Sequence, residues 1–123
     1  MIQLNLTDEQ ARIVSRACEF YARMRYGQFW ELIPETLELE RPFPDNFSER
    51  RDNAEKHLLI ARTWLLPELH GRGHSYGMGY DEISDRAYDV YQVLRKELGD
   101  ERIPFSYYDL PQCKFLTDEK DVG

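Results

Sequence analysis

The chain of 123 residues carries only two cysteines, Cys18 and Cys113, and neither sits in a CxxC or Cys/His spacing. That argues against a cysteine-built zinc site and against a disulfide framework, so reduced thiols and a cytosolic setting are expected. No apolar run approaches the roughly 20 residues of a membrane span. The first residues lack a basic segment followed by an apolar one, so neither a leader nor a membrane anchor is expected. Positive charge is scarce: 16 Lys and Arg stand against 23 Asp and Glu, a net charge of −7. A general nucleic-acid binder, which draws its affinity from neutralising phosphates, is therefore disfavoured.

Recognisable catalytic patterns are also missing. His70 and His74 are four residues apart, but Gly71, Arg72 and Gly73 between them oppose a helix, and the glutamate of an HExxH motif is absent. Ser75 has no nucleophile elbow around it, and no Ser–His–acid order emerges. No metal, no cofactor and no catalytic residue are assigned, and a non-enzymatic protein is the expectation.

What the chain does have is eight tyrosines, six phenylalanines and two tryptophans, enough to oppose disorder despite its charge. Its length suits one globular domain, residues 1–123, with residues from about 111 onward an acidic tail without fixed structure. A mainly helical fold is expected, with three long amphipathic helices and one short one. Thr7 to Gln10 reads as a capping box that starts a helix at Asp8. From there Ile13, Val14, Ala17, Tyr21 and Met24 recur at helical spacing and predict the core face, with Arg25 at its edge. Gly27 ends that helix, and residues 28–32 begin a short piece carrying Phe29 and Trp30.

A longer helix is predicted from Ser48 as N-cap to Leu66, with Ala54, Leu58, Ala61 and Leu65 inward, Leu59 and Trp64 beside them, and His57 packed near that stripe. Ser84 as N-cap begins the last helix, which buries Ile83, Ala87, Val90, Tyr91, Leu94 and Leu98 and stops at Gly99. Residues 2–6 alternate apolar and polar side chains. With residues 103–108 they suggest a small two-stranded β element from the termini.

The stretch most like a site is HGRGHSYGMGY, residues 70–80, which holds four glycines, an arginine, two histidines, a serine and two tyrosines. Such a loop running into a helix lets backbone N–H groups approach an anion. With the first helix packed beside it, Arg25 and Tyr26 would face Arg72, His74, Ser75 and Tyr76. The two guanidinium groups would hold phosphates and a tyrosine would offer its face to a base or ribose.

The segments LTDEQARIVSRACEFYARMRYGQFWEL and HGRGHSYGMGYDEISDRAYDVYQVLRKEL, with the helix between them, resemble a family of small accessory proteins of tailed phages and prophages. The most recognisable pieces are the turn Gly27-Gln28-Phe29, the triplet Ser75-Tyr76-Gly77 and the run AYDVYQVLR from Ala87 to Arg95. That resemblance implies a context and no activity: proteins of this kind often blunt host defence, in the host cytosol. Two readings follow. In one, the protein binds and sequesters a nucleotide-derived small molecule through Arg25, Tyr26, Arg72, His74, Ser75 and Tyr76. In the other, it is an acidic protein–protein inhibitor that blocks a basic site on a host defence protein. The wide apolar surface around Phe29 and Trp30 adds the expectation of a homodimer with Trp30 at or near its interface.

Overall fold

A computed structural model describes residues 2–69 and 74–99. Three α-helices account for most of them: α1, Asp8–Arg25; α2, Phe47–Leu65; and α3, Glu82–Glu97. Two 3₁₀ turns, Phe29–Leu32 and Leu37–Leu39, lie between α1 and α2. The mainly helical expectation holds. Among the described residues there is no strand: residues 2–6 are irregular, and residues 103–108 lie outside the described residues, as does the acidic tail.

Local chemistry explains where the helices begin and end. The Thr7 N–H donates to Gln10 Oε1 at 3.0 Å, and the Gln10 N–H donates to Thr7 Oγ1 at 3.1 Å. This closes the capping box and starts α1 at Asp8. Gly27, at a φ of +86°, takes the left-handed conformation that ends α1, and its N–H donates to the Met24 carbonyl. The start of α3 differs from expectation. Asp81, not Ser84, is the N-cap, accepting from the N–H groups of Ile83 and Ser84 and from the Ser84 hydroxyl. The start of α2 also moves: Asn46 stands at its N-cap position without a side-chain cap, and Phe47 is the first helical residue. Stacking of Phe47 on Phe43 at 4.4 Å, with Arg41 over the Phe43 ring, fixes the chain entering this helix.

The described residues form two compact units, residues 2–22 with 78–99 and residues 23–77. In the first unit the expected helix faces hold only in part: Val14 of α1 is half-buried, as are most of the expected residues of α3, but smaller and polar side chains are buried more deeply. On α1 the buried line is Ala11, Ser15 and Ala22, with Cys18 half-buried beside it. Ile13, Ala17 and Tyr21 are exposed, Ile13 to 63%. Small side chains admit close approach: Ser15 Oγ donates to the Tyr91 carbonyl of α3 at 3.2 Å. On α3 the buried residues are Ser84, Asp85, Asp89, Gln92 and Val93, whereas Ile83 is exposed and Ala87, Val90, Tyr91, Leu94 and Leu98 are half-buried. Polar groups tolerate burial when hydrogen-bonded, and both oxygens of Asp85 accept the N–H of Gly79.

The second unit centres on α2 packed against the 3₁₀ turn Phe29–Leu32. Here the predicted stripe is again corrected. Ala54, Leu58 and Leu59 are half-buried, but Ala61, Trp64 and Leu65 are exposed, and the buried side chain of α2 is Arg62. His57 is likewise exposed, its Nδ1 lying 2.7 Å from the carbonyl of Asn53.

Candidate functional site

The turn after α1 and the segment after α2 meet within residues 23–77. The main-chain N–H of Tyr76 donates to the carbonyl of Tyr26 at 2.8 Å. Next to this bond, Gln28 Nε2 donates to Ser75 Oγ at 3.4 Å while Gln28 Oε1 accepts from Arg23 Nη1 at 2.8 Å. Glu31 adds a longer ion pair to Arg23 at 3.7 Å. A left-handed glycine at position 27 is what lets the chain double back here. A Cβ on Gly27 would lie 2.5 Å from Leu69 Cδ1 and 3.0 Å from Leu66 Cδ1.

Arg62 holds the two strips of chain together. It is 2% exposed, and its Nη1 donates to the Gly27 carbonyl at 3.2 Å and to the His74 carbonyl at 2.6 Å. Its guanidinium also lies 5.3 Å from the centre of the Trp30 ring. A planar cation suits this position because it can donate in its own plane while its face meets an aromatic ring. Trp30 is therefore a half-buried partner of Arg62 within one chain.

Four of the six residues expected to form a ligand site are thus brought together: Tyr26, His74, Ser75 and Tyr76. Arg25 is half-buried in the last turn of α1, where a cation complements the helix dipole. Arg72 lies outside the described residues. The exposures within the group differ. His74 and Ser75 are exposed and Tyr76 is half-buried, while Tyr26 is 2% exposed.

The electrostatics of the group are mixed. Tyr76 Oη donates to Glu68 Oε1 at 2.6 Å, and this bond, helped by one from the main chain of Glu68, holds the Glu68 carboxyl below its ordinary range. An exposed carboxylate beside Tyr76 repels an incoming phosphate. The Arg62 cation is directed at main-chain carbonyls.

Arg62 was not singled out from the sequence, and Gln28 only as part of the Gly27-Gln28-Phe29 turn, not as a site residue. Arg62 carried a signal, since it stands four residues after Leu58 and four before Leu66 in an apolar run. Among the described residues no group of three or more His, Cys, Asp or Glu side chains could hold a metal ion, and no helix is long and apolar enough to cross a membrane. No family model, curated protein or solved structure matches the chain.

Proposed function

We propose that this is a non-enzymatic binding protein that works by contact with another protein. The observation that carries the reading is the outward line of Ile13, Ala17 and Tyr21 on α1, opposite the buried line of Ala11, Ser15 and Ala22. Large apolar side chains in a row on an otherwise polar helix surface are what a docking partner covers. Arg12 is exposed beside that row, so the surface that complements it is apolar with a carboxylate at its edge. The chain's net charge of −7 also suits a partner that carries a basic site. In the phage context implied by the resemblance, the partner is a host defence protein and the outcome is its inhibition.

The test is affinity capture from host cytosol with the wild type and with Ile13→Glu and Tyr21→Glu as bait. Loss of a captured protein by roughly tenfold or more in either variant is expected of residues at an interface centre. Equal capture by all three baits removes α1 from the reading.

A second reading, sequestration of a nucleotide-derived small molecule, is favoured by one observation: Tyr26, His74, Ser75 and Tyr76 share one locality. The buried ring of Tyr26 and the carboxylate of Glu68 weigh against a phosphate-and-ring ligand there. Thermal-shift screening against cyclic dinucleotides and ADP-ribose-type ligands tests it, because a ligand bound by the native state alone raises the melting temperature. No shift with any of them leaves protein contact as the remaining reading.

A further inference from the structure

We infer that residues 2–6, the segment ahead of α1, are an arm that becomes a β-strand along the exposed sheet edge of a partner protein. Ile2 is 93% exposed and Leu4 66% exposed, with Leu6 half-buried after them and exposed Gln3 and Asn5 between. Among the described residues, no main-chain N–H or C=O of residues 2–6 has a hydrogen-bond partner. The capping box of Thr7 and Gln10 closes α1 ahead of Asp8, so the helix does not run back into the segment. The alternation of its side chains fits a strand and no other regular structure. In a strand Ile2, Leu4 and Leu6 share one face and Gln3 and Asn5 the other, whereas on a helix residues two apart point to nearly opposite sides.

The open main chain and the spacing together decide what covers the arm. A helix-binding groove reads side chains three and four apart, not two. A lipid surface gives main-chain groups no partner, and exposed Asp8 and Glu9 directly after the arm repel an anionic one. A sheet edge supplies both needs at once: a row of unpaired N–H and C=O groups for the main chain, and pockets for side chains at alternate positions. Among its described residues a second copy of this chain has no strand, and so no such edge to offer. Charge agrees with the choice. Edge strands of folded proteins are commonly guarded by Lys, and Asp8 and Glu9, in the first turn of α1, stand where the arm ends to meet such a cation.

The inference rests on reading the chain as a protein that works by protein contact, and it names the element of the partner that is gripped. Affinity capture from host cytosol, with the full chain as bait, tests it by setting Ile2→Ser and Leu4→Ser against Gln3→Ser and Asn5→Ser. Of the protein that the wild type captures, the first pair should retain less by about tenfold and the second pair as much as the wild type. Amide exchange in the purified complex separates a paired strand from an apolar segment that merely adheres. On an edge strand every second N–H points into the sheet, so protected and open amides should alternate along residues 2–6, all of which exchange freely in the unbound chain. Equal retention in all four variants, or amides that stay open in the complex, overturns the arm. Ile13→Glu and Tyr21→Glu in the same experiment keep the two claims apart. If they lose the captured protein while Leu4→Ser keeps it, only the arm has failed; if they keep it while Leu4→Ser loses it, only α1 has failed. A wild type that captures nothing overturns both.

Discussion

Arg62 and Gly27, 35 residues apart in the chain, are joined by a hydrogen bond of 3.2 Å from a buried guanidinium to the main-chain carbonyl of a left-handed glycine. The same nitrogen reaches the His74 carbonyl, so one side chain of α2 fixes both the turn after α1 and the segment that carries Ser75 and Tyr76. Removing it leaves two carbonyls without their donor and Trp30 without the cation over its ring. Arg62→Ala should lower stability by about 2–4 kcal/mol, and Arg62→Lys by less, since the charge remains while the planar fork is lost. Urea unfolding followed by tryptophan fluorescence measures this. A midpoint for Arg62→Ala equal to the wild type would show that the clamp does not support the fold.

Gly27 and Gly77 lie in the same unit and should respond oppositely to alanine. At Gly27 the φ of +86° strains any L side chain, and the added Cβ meets Leu69 Cδ1 and Leu66 Cδ1. These are the ends of side chains that can swing aside, so the backbone strain dominates, and Gly27→Ala should cost about 1–2 kcal/mol. Gly77 is not in the left-handed region, and a Cβ there meets nothing within 4 Å. Gly77→Ala should stabilise by about 0.4–1 kcal/mol, by narrowing the unfolded ensemble. Melting temperatures of the pair, measured side by side, check both signs.

The tie between Tyr76 and Glu68 is sensitive to acid. The Glu68 carboxyl titrates below its ordinary value of 4.5, first because Tyr76 Oη donates to it and second through its own main chain. Whatever the tie contributes is complete above that ordinary value and lost as pH falls through the lowered one. In Tyr76→Phe the Glu68 carboxyl should titrate nearer 4.5 than in the wild type, as read from its ¹³C carboxyl resonance. An unchanged midpoint would mean that the phenol does not hold this carboxylate in solution.

How much of this was legible depended on the range of the interactions. The capping box of Thr7 and Gln10, the stop at Gly27 and the stop at Gly99 are settled within four residues, and the sequence shows them directly. Which face of a helix turns inward is settled by distant chain. Ile13, Ala17 and Tyr21 form as regular a stripe as Ala11, Ser15, Cys18 and Ala22, but hydropathy favours the first and close approach to Tyr91 favours the second. On α2 the same preference for apolar residues concealed Arg62, whose burial is compensated by two carbonyls that no local pattern reveals. The meeting of Tyr26 with residues 74–76 was legible because Gly27 turns the chain just after Tyr26 and four glycines stand in residues 70–80. Gln28, a common surface residue, gave no such cue.

Tyr91 links α1 to α3 through its side chain as well as its carbonyl, and this makes stability depend on alkali. Its phenol is pushed up to about 12 by burial first, then by a hydrogen bond to Glu19 and by that carboxylate's charge, with Arg95 acting in the opposite direction. Arg95 Nη1 donates to Tyr91 Oη at 2.6 Å and stands 4.9 Å from the ring centre. An unfolded tyrosine ionises near its ordinary value of 10, while Tyr91 in the folded chain is still neutral. The stability associated with its protonated form is therefore complete below pH 10 and lost as pH rises from there toward 12. Other tyrosines contribute to any alkaline transition, so the comparison is with Tyr91→Phe, which cannot ionise. Urea midpoints measured between about pH 8 and about pH 11 should fall more steeply for the wild type than for Tyr91→Phe. Parallel curves would show that Tyr91 ionises as an ordinary surface phenol and that the contact with Glu19 does not persist in solution.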